Sequence, residues 1–249
     1  MISSQFVSYL TLLREKVESF DSYPFCLPAI RSLQTVDFHP NVTFFVGENG
    51  SGKSTLLESI AVSLGFNAEG GSKNFRFGTR ESHSNLHEYL RIGKGYKRPK
   101  DGYFLRAESF FNVATNIEEL DEGGGGPPII SYYGGKSLHE QSHGESFLAL
   151  MNERFGGQGI YILDEPEAAL SPQRQLAVLS RMHDLVLDNS QFVIATHSPI
   201  LMAYPNATIY MCGKEGVSRV DYKETEHFQV TRDFLANPER MLKILMESD

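Results

Sequence analysis

An α/β fold with a mainly parallel central sheet flanked by helices is predicted from three observations. Short apolar runs recur at Val42 to Val46, Tyr103 to Ala107, Ile160 to Leu163 and Phe192 to Ala195, each the length of a buried strand. Helix-like patterns stand between them, and such alternation implies parallel strands with helices on both faces. A glycine-rich loop, Gly47-Glu48-Asn49-Gly50-Ser51-Gly52, joins the first of those strands to the helix that begins near Lys53-Ser54-Thr55.

Along the chain, Leu10, Leu12, Leu13, Val17 and Phe20 read as a short amphipathic lead-in, and Ile30 to Phe38 as a strand entered through Pro24 and Pro28. The polar, glycine-rich stretch from Asn67 to Gly102 predicts loops and a small antiparallel β region. Within it, Lys94, Lys97, Arg98 and Lys100 read as a solvated hairpin tip or a local basic patch. Residues 121–128, Asp-Glu followed by four glycines and two prolines, form a linker. Beyond it, Phe147, Leu148, Leu150, Met151 and Phe155 share a helix face. Ser171-Pro172 supplies an N-cap and first-turn proline for a helix with Leu176, Leu179, Met182 and Val186 on its apolar stripe.

The loop carries the chemistry. Gly47, Gly52, Lys53 and Ser54 complete the pattern G-x-x-x-x-G-K-[ST], set between a strand and a helix. Its glycines let successive backbone N–H groups face one concavity, and the helix N-terminus adds partial positive charge, so the site suits an anion. Lys53 would reach the β- and γ-phosphates of a nucleotide and Ser54 would ligate Mg²⁺. The strand ending at Leu163 runs into Asp164-Glu165-Pro166, where Asp164 can hold Mg²⁺ and Glu165 can polarise the attacking water. His197, past Thr196 at another strand's end, can donate a hydrogen bond to the γ-phosphate. Gln141-Ser142-His143-Gly144-Glu145-Ser146, at a helix start, forms a second anion site, surplus to one γ-phosphate unless it serves another subunit's nucleotide.

The chain of 249 residues suffices for one large domain, and 41% hydrophobic residues for a sizeable core. A net charge of -8 argues against a surface that grips nucleic acid across its whole face. The two cysteines, Cys26 and Cys212, make no disulfide framework, and no apolar stretch spans a bilayer, so a cytoplasmic protein is expected. The pairs His83/His87 and His139/His143 lack Cys or carboxylate partners for a metal site. No Asn-Lys-x-Asp element points to guanine.

On these motifs the chain resembles an ABC-type ATPase domain, closest to stand-alone "AAA family" ATPases grouped with SMC and RecF-like proteins. The resemblance runs from about Phe25 to Pro238 within a single domain spanning 1–249. It implies a Walker A motif at Gly47 to Thr55, a Walker B motif ending at Asp164, Glu165 as catalytic base, His197 as switch histidine, and Ser142 and Gly144 in a signature motif carried by a helical segment. It further implies ATP and Mg²⁺ as ligands, an ATP-dependent homodimer with each phosphate loop facing its partner's signature serine, and an effector protein on another chain or a nucleic acid. The alternatives are an ATPase subunit of a membrane transporter and an ATP-binding scaffold with little turnover. Three positions depart from the family pattern: Glu108, a carboxylate that can itself ligate Mg²⁺, where a metal-side glutamine is usual, His143 for glycine and Ser171 for aspartate. Tyr23 or Phe25 would either stack on adenine or serve as a core or turn aromatic. About ninety residues between Lys53 and Ser142 leave no room for long coiled-coil arms.

Overall fold

The computed structural model describes residues 5–73, 84–107, 115, 121, 130–131, 135 and 143–247. Its strands are β1 (Val7–Leu12), β2 (Thr35–Asp37), β3 (Val42–Val46), β4 (Leu90–Lys94), β5 (Asp101–Arg106), β6 (Gly159–Asp164), β7 (Gln191–Ala195), β8 (Thr208–Gly213) and β9 (Gly216–Val220). Helices are α1 (Pro28–Arg31), α2 (Lys53–Ser63), α3 (His143–Ala149, continued by a π-turn over Leu150–Arg154), α4 (Pro172–Leu187), α5 (Pro199–Met202), α6 (Glu226–Ala236) and α7 (Pro238–Glu247). No helix among them is long and apolar enough to cross a membrane.

Six strands form the central sheet in the order β5-β6-β7-β3-β8-β9. All are parallel except β9, which returns against β8. Strands β3, β6 and β7 are buried at every position, as sheets covered on both faces require. Alternation then divides two cores. Phe44, Tyr161, Leu163, Phe192 and Ile194 pack on one face with α3 and α4, while Phe45, Ile160, Ile162, Val193 and Ala195 pack on the other with α2. A second, antiparallel sheet, β2-β1-β4, covers the α2 side. One buried side chain staples the sheets: Gln191 Oε1 accepts from the N–H groups of Phe6 and Val7, both at 3.0 Å, and its Nε2 donates to Val7 O and His39 O at 2.8 and 3.0 Å.

Several sequence expectations shift. The amphipathic lead-in is the strand β1 followed by one 3₁₀ turn, because Val7, Leu10 and Leu12 bury against both neighbours. Only Thr35–Asp37 of the expected Ile30–Phe38 strand is extended; its start belongs to α1, with Pro28 in the first turn. The basic stretch Lys94–Lys100 is no hairpin tip, since β4 and β5 lie in different sheets. With Lys73 it borders a cleft of about 440 Å³ lined by Phe6 and by Ile160, at the amino end of β6. On α4 the buried positions are Val178, Met182 and Leu185, with Leu179 and Val186 packed against the same core; of the expected stripe only Leu176, 58% exposed, lies outside it. The Ser171 cap is present, its hydroxyl accepting from Arg174 N–H at 3.4 Å. Most of the linker lies outside the described residues.

Candidate functional site

Strands β3, β6 and β7 lie side by side, and register aligns their carboxyl ends: Asp164 is level with Ala195, and Ala195 with Phe45. Ligand crevices of open α/β sheets lie beyond these ends. Here the three strands deliver the glycine loop, the acidic pair and the His197 segment to one place. Backbone bonds fix the exits: Glu165 N–H donates to Ala195 O at 2.9 Å and Thr196 N–H to Phe45 O at 3.2 Å.

The loop's conformation depends on glycine. Gly47 has φ +139°, and a Cβ there would lie 2.1 Å from the carbonyl oxygen of Cys212 on neighbouring β8. Gly52, at φ +101°, stands immediately before α2. Lys53 is buried, and its ammonium donates to Gly47 O at 2.8 Å and Glu48 O at 2.9 Å, so the cation sits across the loop's mouth. Burial lowers its pKa, against the opposing pull of Glu165, Cys212, Asp164 and Glu167. Burial also pushes the Cys212 thiol up to about 12, which keeps it neutral beside Lys53.

Ser54 Oγ donates to Asp164 Oδ1 at 3.1 Å, joining the first turn of α2 to the end of β6. A hydroxyl and a buried carboxylate side by side match Mg²⁺, a hard ion that takes one or two protein oxygens and keeps its remaining places for water and phosphate. Glu165 follows with φ +51°, a left-handed conformation uncommon for a side-chain-bearing residue and frequent at functional sites. Its Oε1 lies 3.4 Å from His197 Nε2, within ion-pair range but without hydrogen-bond alignment. Together with Glu48, Asn49, Glu226, His227, Val230 and Thr231 they line a cleft of about 520 Å³. A second cleft of about 370 Å³ runs along residues 47–51 to Cys212 and Lys214.

Of the residues expected from sequence, Gly47 to Thr55, Asp164, Glu165 and His197 fall in this one region. Gly144, in the first turn of α3, packs against the carbonyl of Ala169 and the side chain of Arg174, where an added Cβ would come within 2.8 and 2.6 Å. Glu145 pairs with Arg174 at 3.2 Å. Ser142 and Glu108 lie outside the described residues, as do His83 and His139. Phe25 is not available to stack on a base: it is buried in the α2-side core, edge-on to Tyr89 at 4.8 Å. Tyr23 is 64% exposed.

Two site residues escaped the sequence reading. Glu167 accepts the backbone N–H of His197 on Oε1, and His227 meets the same histidine's ring, Nδ1 to Nε2, at 3.0 Å. Glu167 stands in the acidic run after β6, where a signal existed. His227 is thirty residues from His197 in sequence and carried none.

Residues 16–124 match the family model described as an AAA domain. Among solved structures, an inward-facing putative metal-chelate type ABC transporter superposes with a TM-score of 0.52 at 16% identity, over 91% of this chain and 88% of that one. The chain has the fold of an ABC-type ATPase. Further structures similar to this chain include an ATP-binding cassette of an ABC transporter in its ADP conformation, with TM-score 0.46 and 18% identity over 98% of this chain and 99% of that one. The SMC head domain from Thermotoga maritima gives 0.46 and 15% over 87% and 98%. No curated protein matches the sequence.

Proposed function

We propose that this ABC-type domain binds ATP with Mg²⁺ and hydrolyses it, acting as an ATP-dependent dimerisation switch for a partner protein or nucleic acid. The observation that supports it best is the convergence, at three adjacent strand ends, of Lys53, the Ser54–Asp164 pair and the Glu165–His197 pair around one cleft. Lys53 and the N–H groups of the glycine loop bind the phosphates. Ser54 and Asp164 would hold Mg²⁺, whose charge neutralises phosphate oxygens when bound. Glu165, a carboxylate open to the cleft, accepts the proton of the attacking water. His197 donates from its ring to the γ-phosphate.

In the dimer, the α3 start of one subunit would close on the phosphate loop of the other. Its packing against Ala169 and Arg174 makes that helix start move with the segment following Glu165. Hydrolysis removes contacts made only in the closed state, so the subunits part. Two unpaired cysteines suit a cytoplasmic setting.

The test is phosphate release from ATP–Mg²⁺ by wild type and Glu165→Gln, with light scattering alongside. Loss of the base should lower turnover by about 10²- to 10⁴-fold while ATP still binds, and should accumulate an ATP-dependent dimer. Equal inactivity of both proteins with intact ATP binding would mean a nucleotide-binding scaffold instead. A mutant that stays monomeric at saturating ATP–Mg²⁺ would remove the composite site.

A further inference from the structure

We infer that His227 is the positioning residue of His197: its Nε2–H donates to His197 Nδ1 and so holds the imidazole with its own Nε2–H facing Glu165 and the cleft. The inference rests on the reading of that cleft as the ATP site. Its starting point is the 3.0 Å contact between the two rings, whose planes are inclined at 55°.

Both histidines are held by their surroundings. His197 is fixed through its backbone N–H, which Glu167 accepts. His227 is the second residue of α6, and Thr225, fully buried, caps that helix by accepting from Phe228 N–H at 3.3 Å. Thr225 Oγ1 also donates to Tyr222 O at 2.7 Å, and Tyr222 Oη donates to Pro199 O at 2.9 Å, two residues past His197. The cap of α6 is therefore clamped to the same short segment that carries the switch histidine.

The tautomers follow from charge and burial. His227 is kept neutral by burial, with Lys53 adding to that effect against the pull of Glu226. A neutral imidazole has one N–H. Were His197 the donor through Nδ1, a neutral ring would turn a bare Nε2 lone pair toward the Glu165 carboxylate at 3.4 Å, which is repulsive. With His227 donating, His197 presents Nε2–H to that carboxylate, and the atom left without a hydrogen is His227 Nδ1. That nitrogen is buried and without a hydrogen-bond partner. In that tautomer His197 Nε2 carries a hydrogen that no group among the described residues accepts. A γ-phosphate oxygen is the acceptor that the cleft would supply. Second groups that fix a ring's tautomer in this way commonly change rates by about 10- to 100-fold when removed.

The experiment compares wild type, His227→Leu and His227→Gln. The glutamine variant keeps an amide nitrogen at the reach of the imidazole Nε2, whereas the leucine variant fills the space without a donor. Side-chain ¹⁵N NMR of the nucleotide-free protein, with His197 assigned by its loss in His197→Gln, should show a pyridine-like Nδ1 and a pyrrole-like Nε2 in wild type. That pattern should be lost in His227→Leu and retained in His227→Gln. Steady-state kinetics should show kcat down about tenfold in His227→Leu with KM within twofold, and recovery in His227→Gln. A wild-type His197 in the Nδ1–H form, or nitrogen shifts unmoved by His227→Leu, overturns the inference. The NMR result stands apart from catalysis. If the tautomer shifts as stated in a protein that never releases phosphate, the hydrolase reading falls and the positioning role survives.

Discussion

Replacing Gly47 by alanine tests the phosphate loop at its tightest point. The new Cβ would meet the Cys212 carbonyl oxygen at 2.1 Å, and ordinary carbon–oxygen contact begins near 3.4 Å. The loop and β8 must therefore separate by about 1.3 Å, or the loop must leave φ +139° altogether. Neither is easy, because Val46, the residue before Gly47, is paired in register with Met211, the residue before Cys212. A side chain held at such a φ costs on the order of 1–3 kcal/mol, and for a chain of this size each kcal/mol lowers Tm by about 2–4 °C. A loss of roughly 2–12 °C is expected by differential scanning fluorimetry. Displacement of phosphate-binding N–H groups by about an ångström should weaken ATP binding or turnover by about 10²-fold, read by calorimetric titration and phosphate release. Wild-type Tm together with wild-type ATP affinity in Gly47→Ala would refute the argument that the β3–β8 contact sets the loop's shape.

Lys53→Ala should cut ATP affinity strongly, by about 10²-fold or more, since it removes the cation that the loop carbonyls now hold; an unchanged dissociation constant in a fluorescent-nucleotide titration would contradict this. Asp101→Ala should destabilise by about 2–4 kcal/mol in urea unfolding, because Asp101 accepts from Arg154 Nη1 and Tyr161 Oη, both at 2.8 Å, and Gly156 N–H at 2.9 Å. Burial alone would raise the Asp101 pKa, yet the bonds to Gly156, Arg154 and Tyr161 outweigh it and hold the carboxyl below its usual range. The stability that this depressed pKa confers is therefore present above about pH 4 and is lost as pH falls through the folded-state value. The wild-type minus Asp101→Ala difference should shrink in that acid window, and a difference independent of pH down to acid unfolding would refute the assignment.

What the sequence determined was local. The glycine loop needs its spaced glycines at 47, 50 and 52 ahead of Lys53-Ser54, and the strands that feed it need unbroken apolar runs, so both were readable from neighbouring residues. Amphipathic signals near the edge were less secure: the β1 segment offers apolar positions compatible with either period until β2 and β4 flank it, and on α4 the choice between Leu176 and Val178 is made by what packs against the helix. Tertiary structure alone decided the long-range polar pairings. Gln191 reaches β1 across the core, Glu167 grips the backbone of His197, and α6 brings His227 to His197. Hydrogen bonds between distant groups leave no periodicity in a chain. They depend on where the sheet's edges and helix caps finally meet, and that meeting is set by packing rather than by spacing.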